Sequence, residues 1–139
     1  MKFQGNILKD GKFWLANIPF LELMTQGSSK KELLLMVEDL FITLANSKGF
    51  EVNVKCTKEG ILEVGSNDNK IMVGLLLKRK RELANLTIQE VATRLGSNSK
   101  NAYARYEQGK TLPSIDKLQE LLSAIDLNSD LVLTESRCA

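Results

Sequence analysis

The sequence predicts an α+β chain in two parts, a small N-terminal β-β-β-α-β domain over residues 1–70 and an all-α domain over residues 71–139. Three observations carry this. Up to about residue 64, apolar and polar residues mostly alternate, interrupted by one long stretch of helical period, whereas from Leu75 onward the period is helical throughout. Charge divides in the same way: residues 1–70 carry nine Lys against nine Asp/Glu, Gly74 to Lys110 carry eight Lys/Arg against three Glu, and Thr111 to Ala139 carry two against five. Finally, 139 residues with 43% hydrophobic and 26% charged content suit one ordinary globular domain or two small ones.

In the first part, Phe3, Gly5 and Ile7 alternate with Gln4 and Asn6, and Asp10-Gly11 separates them from Phe13-Trp14-Leu15-Ala16, which is a hairpin signal. A third strand is expected over Leu21–Gln26, after Pro19. Ser29 and Glu32 stand at capping-box spacing before a helix whose Leu33, Met36, Val37, Leu40, Phe41 and Leu44 recur every three or four residues until Gly49. Leu34, Leu35 and Ile42 widen its apolar face, which fits a helix covered on more than one side. Val52, Val54 and Cys56 then alternate with Glu51, Asn53 and Lys55, and Ile61–Val64 reads as the hairpin partner of that strand.

The apolar run Ile71–Leu77 leads into Lys78-Arg79-Lys80-Arg81, and the domain boundary is expected near residues 66–73. Thr87 and Glu90 form a second capping box, opening a helix with Val91, Ala92 and Leu95 turned inward. After the turn at Gly96-Ser97-Asn98, a helix runs from Ser99 or Lys100 to Gln108, stopped by Gly109. Beyond Pro113-Ser114 another helix carries Ile115, Leu118, Leu121, Leu122 and Ile125. The tail holds Leu131-Val132-Leu133, which reads either as a docked strand or as a frayed end.

Composition also excludes. With no His, the chain lacks the usual neutral-pH base, the Ser-His and Cys-His pairs and the commonest zinc ligand. Cys56 and Cys138 are too few for a disulfide framework or a four-ligand metal site and fit a reducing cytoplasm. Cys56 reads as a small core residue and Cys138 as exposed. Neither a membrane span nor a signal peptide is expected, and no catalytic residue, metal or cofactor is assigned.

What remains is a binding constellation. Two helices joined by a short Gly-containing turn, the second opening with Lys100 and Asn101 and carrying Arg105 one turn on, are what a helix-turn-helix needs to place a polar, basic helix in the major groove. Asn suits adenine and Arg suits guanine by bidentate geometry. The Lys78–Arg81 run reads equally as a solvated helix face or as phosphate contacts.

Leu86-Thr87-Ile88-Gln89-Glu90-Val91-Ala92-Thr93-Arg94-Leu95-Gly96, then Tyr103-Ala104-Arg105-Tyr106-Glu107-Gln108-Gly109-Lys110 and Leu112-Pro113-Ser114, resemble the XRE/Cro-like helix-turn-helix domains over roughly residues 75–126. The resemblance implies an Arg81–Glu107 ion pair, Tyr103 and Tyr106 packed inward, and a DNA-facing set of Thr87, Gln89, Ser99, Lys100, Asn101, Ala104, Arg105 and Lys110. Two features depart from that family: Ile88 stands where many members have a phosphate-contacting Gln, and the turn from Leu95 to Tyr103 is one residue longer.

The first part resembles the HicB-type antitoxins, through its β-β-β-α-β order, Phe13-Trp14-Leu15-Ala16-Asn17-Ile18-Pro19 after the Asp-Gly turn, and Thr25-Gln26-Gly27-Ser28 before the long helix. This implies a partial ribonuclease-H-like domain over about residues 1–60 without catalytic activity. Asp10, Glu22, Glu38 and Asp39 do not suggest the converging carboxylates that a two-metal site requires. The resemblance further implies an antitoxin that neutralises a HicA-type ribonuclease toxin and, as a dimer or higher homo-oligomer, represses its own operon on double-stranded DNA. The alternative is a phage-type or metabolic repressor whose first domain binds a ligand or only dimerises. Phe13 and Trp14 are read as packing against the long helix ahead of a toxin-contacting patch.

Overall fold

Alternation in the opening residues becomes β1 (Lys2–Asp10), which turns through Gly11, at φ +59°, into β2 (Phe13–Ile18). The fold is a computed structural model that describes residues 1–136, so the expectation for Cys138 lies outside the described residues. Contacts divide the chain into one unit of Met1–Asp68, joined by Ser136, and a second of Asn69–Glu135.

In the first unit the chain continues through a 3-10 turn (Pro19–Leu21) to β3 (Leu23–Gly27), α1 (Lys30–Ala45), β4 (Val52–Cys56) and β5 (Ile61–Ser66). The third strand begins two residues later than expected. Pro19 fixes a helical φ, and Glu22 follows at φ +48°, so Leu21 is spent in the turn. The sheet is antiparallel in the order β3-β2-β1-β5-β4. Its registers Ile7↔Ala16, Phe3↔Val64 and Ile18↔Leu23 put those six residues on one buried face. Helix α1 covers that face with Leu33, Val37 and Phe41, and the Phe3 ring stacks at 6.1 Å on Phe41.

The sequence pattern places Met36 inward, but within this chain Leu35, Met36 and Ile42 are exposed. A one-sided helix on a sheet needs only its Leu33-Val37-Phe41 stripe, and the surplus apolar residues have nothing in the unit to meet. On the sheet's other face, Glu63 is buried; its carboxylate accepts from the Ser136 hydroxyl at 2.6 and 2.8 Å and pairs with Lys2 at 3.5 Å.

The second unit is helical: α2 (Asn69–Leu83), α3 (Ile88–Arg94), α4 (Asn101–Glu107) and α5 (Ile115–Ile125). Helix α2 starts six residues before the expected change of period at Leu75. Met72 to Leu77 are all buried, and a helix apolar all round shows no period to read. Residues 126–136 form no strand. Instead the Gln119 amide holds the tail in place, donating to the Ser129 carbonyl at 2.9 Å and accepting from the Leu131 N–H at 2.8 Å, while Val132 and Leu133 stay exposed.

Candidate nucleic-acid interface

The α3–turn–α4 segment is shaped by local chemistry at each end. Thr87 caps α3: its hydroxyl accepts from the Glu90 N–H at 3.1 Å, and the Glu90 carboxylate accepts from the Thr87 N–H at 2.6 Å. These bonds hold the Glu90 carboxyl below its usual range, the backbone N–H of Thr87 contributing most. At the other end Gly96, at φ +78°, lets Ser97 N–H reach the Ala92 carbonyl and its own N–H reach Thr93, both at 2.9 Å. The same closure ends α4 at Gly109, where Lys110 N–H meets the Arg105 carbonyl at 3.0 Å.

The turn itself is fixed by two serines. Ser97 Oγ donates to the Ser99 carbonyl at 2.8 Å, and Ser99 Oγ accepts from the Asn101 N–H at 3.2 Å, closing the first turn of α4. Ser99 is therefore part of the frame that aims α4. Thr87 has the same role for α3.

Helix α4 has two unlike faces. Asn101 and Arg105, one turn apart, are exposed beside half-buried Ala104, with Lys100 at the helix entry and Lys110 just past its end, both exposed. Gln89 is exposed on α3. On the opposite side of α4, Tyr103 is 2% exposed, and its hydroxyl donates to Glu107 Oε1 at 2.6 Å. Burial, followed by the bond to the Glu107 carboxylate, pushes the Tyr103 phenol far above its usual range. Tyr106, assigned inward with Tyr103, is only half-buried, because it lies toward the flank of the short helix.

Arg81 ties α2 to this assembly. Its Nε and Nη2 donate to Glu107 at 2.6 and 3.1 Å, and Nη1 donates to the Leu86 carbonyl at 2.8 Å. The hydrogen bond to Glu107 leads the causes that raise its pKa. Arg94 donates to the Ala124 and Ile125 carbonyls at 3.1 and 3.3 Å, satisfying the C-terminus of α5. Within the Lys78–Arg81 run, Lys78 is exposed and Arg79 and Lys80 are half-buried and engaged. The basic block thus divides into cations that hold the helices together and an exposed group, Lys100, Arg105 and Lys110, on and beside α4.

The HTH_3 family model, a helix-turn-helix, matches residues 77–132. Residues 77–132 are a helix-turn-helix domain. The protein is accordingly a DNA-binding transcriptional regulator through this domain. No curated protein matches the chain.

Two contributors to the helix-turn-helix geometry escape a reading of the sequence. Gly74 lies where α2 crosses the end of α4, and a Cβ there would fall 2.5 Å from the Glu107 carbonyl oxygen. Its signal is a glycine inside a strongly helical run, which marks a close approach. The other is Arg94, in the last turn of α3. In the first unit the structure separates Phe13 from Trp14: Lys30 Nζ of α1 lies 4.9 Å from the Trp14 ring, whereas Phe13 points to the other sheet face and is 48% exposed. Adjacent strand residues must face opposite ways, so only one of the two could meet the helix. Asp10 ends β1, Glu22 precedes β3, and Glu38 and Asp39 lie on α1. Among the described residues no three His, Cys, Asp or Glu are grouped to hold a metal, and no helix is long and apolar enough to cross a membrane.

Proposed function

We propose that the protein is a cytoplasmic antitoxin of HicB type that neutralises a small ribonuclease toxin of HicA type and represses its own operon. One observation supports this most: a helix-turn-helix domain shares its chain with a separate sheet-and-helix unit of order β-β-β-α-β-β, whose first five elements follow the β-β-β-α-β order expected of HicB-type antitoxins. The activity consists of two binding events without chemistry. The N-terminal unit covers the toxin's active site. The helix-turn-helix domain, as a dimer, reads a two-fold operator, since half-site symmetry mirrors protein symmetry. On this reading Lys100 and Lys110 contact phosphates, while Asn101 and Arg105 reach base edges.

The test is co-expression with the adjacent small open reading frame, scoring growth rescue and co-purification, together with retention of a duplex from upstream of the gene. Rescue, a stable complex and operator retention are expected. Lys100→Ala and Arg105→Ala should each weaken retention, and removing a cation that binds phosphate should reduce the salt slope by about one, with rescue unchanged. A neighbour that is harmless alone and does not co-purify would refute the antitoxin reading in favour of a repressor whose first domain binds a ligand or dimerises.

A further inference from the structure

In the turn before α4, which runs one residue longer than in XRE/Cro-like domains, Asn98 stands exposed between Ser97 and Ser99. Asparagine in a turn ordinarily has a local reason: it tolerates a left-handed backbone, or its side chain bonds to the chain around it. Elsewhere in this fold both reasons operate. Asn46 and Asn85 take φ +43° and +56°, and the Asn67 side chain accepts from the Glu51 N–H and donates to the Gly49 carbonyl, both at 3.0 Å. Asn98 has neither reason, since its φ is not positive and, among the described residues, its side chain has no hydrogen-bond partner.

The turn is held by Ser97 instead. Its Oγ donates to the Ser99 carbonyl at 2.8 Å and accepts from the Ser99 N–H at 3.2 Å, and Ser99 Oγ accepts in turn from the Asn101 N–H at 3.2 Å. The backbone on either side of Asn98 is thereby tied to the start of α4, and the Asn98 amide is a free donor carried on a fixed frame beside exposed Lys100 and Asn101. From Val91 to Tyr106 the chain carries three cations, Arg94, Lys100 and Arg105, and no carboxylate. The carboxylates at either end of this stretch are engaged, Glu90 with Thr87 and Glu107 with Arg81 and Tyr103. An anion therefore reaches Asn98 without meeting an unpaired carboxylate of this segment. A helix-turn-helix sets the N-terminal end of its second helix into the major groove, so a residue that precedes that end stands toward the groove wall, where the phosphates run. A side-chain amide is one of the groups that bond phosphate oxygens there. Base edges fall to Asn101 and Arg105, one turn apart on the helix itself, and Asn98 lies outside that row.

We propose that Asn98 is a further DNA-contacting residue, its amide donating to a phosphate oxygen at the edge of the major groove. The inference rests on the DNA-binding assignment of residues 77–132 and is independent of the antitoxin reading. Its test uses the full chain and the duplex that wild type enriches most from a random-sequence library, with an unrelated duplex beside it. Asn98→Ala removes no bond within the fold, so its circular dichroism melt should match wild type. It should bind both duplexes about 5–10-fold more weakly, with the preferred sequence and the salt slope unchanged, because a neutral amide releases no counterion. Asn98→Lys should restore or exceed wild-type affinity and steepen the salt slope by about one per bound copy. Wild-type affinity in Asn98→Ala would overturn the contact. A loss confined to the enriched duplex, with a changed preference at one base pair, would make Asn98 a reader of bases and overturn the phosphate assignment. Equal loss in the Ala and Lys variants, or a lowered melt in Asn98→Ala, would assign the residue to the shape of the turn and overturn the proposal as well. A wild type that enriches no duplex removes its foundation and overturns it outright.

Discussion

Replacing Gly74 by alanine sets two physical effects of opposite sign against each other. In an isolated helix the change is favourable by about 1 kcal/mol, because glycine loses the most backbone entropy on ordering. In this fold the new Cβ falls 2.5 Å from the Glu107 carbonyl oxygen, 2.9 Å from that of Tyr106 and 3.1 Å from the Glu107 carbonyl carbon. A carbon and an oxygen in ordinary contact stand about 3.3 Å apart, so α4 must retreat by about 0.8 Å. Neither oxygen can swing aside, since both are backbone atoms at the end of α4, and the Tyr106 carbonyl already accepts from the Gly109 N–H at 3.1 Å. Retreat also draws Glu107 away from Arg81, whose two bonds to it span the same pair of helices. Overpacking against a rigid neighbour costs about 2–3 kcal/mol, which leaves a net loss of about 1–2 kcal/mol after the propensity gain. In a small unit that corresponds to a fall of roughly 5–15 °C in melting temperature, read from helical circular dichroism. Emission from Trp14, which lies in the other unit, checks that the sheet remains folded. A variant that melts at or above wild type would refute the reasoning.

Glu107→Ala should cost about 3 kcal/mol, since it strips the mostly buried Arg81 guanidinium of its carboxylate and the Tyr103 hydroxyl of its acceptor; urea denaturation would measure this. Tyr103→Phe, which leaves the Arg81–Glu107 pair in place, should cost only about 1 kcal/mol in the same assay. The phenol also makes stability pH-dependent: its folded pKa lies above the unfolded value of about 10, so the stabilisation is complete below pH ~10 and is lost as pH rises above it. Denaturation midpoints taken from pH 8 upward should therefore fall on the alkaline side in wild type and fall less in Tyr103→Phe. Thr87→Ala removes the cap of α3 and should lower stability by about 1 kcal/mol, with hydrogen exchange at the Glu90 amide rising first.

The elements easiest to read are those whose local chemistry and tertiary surroundings agree. Asp10-Gly11 makes the β1–β2 hairpin, and Thr87 with Glu90 opens α3 where the capping box is observed. Where the surroundings override the pattern, reading fails. Met72 to Leu77 have no polar side to reveal a helix, so the pattern places the start of α2 late. Met36 fits an inward position by spacing yet faces solvent, because spacing alone cannot show how many sides of a helix have a neighbour. The long-range links are illegible for another reason. That Arg94 serves α5, or that Gly74 meets α4, depends on residues about 30 positions away, and no local pattern encodes such a meeting.

The charge divided along the chain has a consequence for how two partners share one molecule. Exposed cations on and beside α4 suit phosphate, and on the antitoxin reading the toxin meets the other unit, so the two partners engage different units. On that reading toxin and operator compete for no side chain. Any influence of one on the other must act through the oligomeric state or the spacing of two helix-turn-helix copies, where a change in assembly alters the fit to two half-sites while leaving the interactions within each half-site intact. Substitutions that weaken toxin binding in the first unit and substitutions on α4 should accordingly be independent within each copy, and departures from independence should grow with protein concentration.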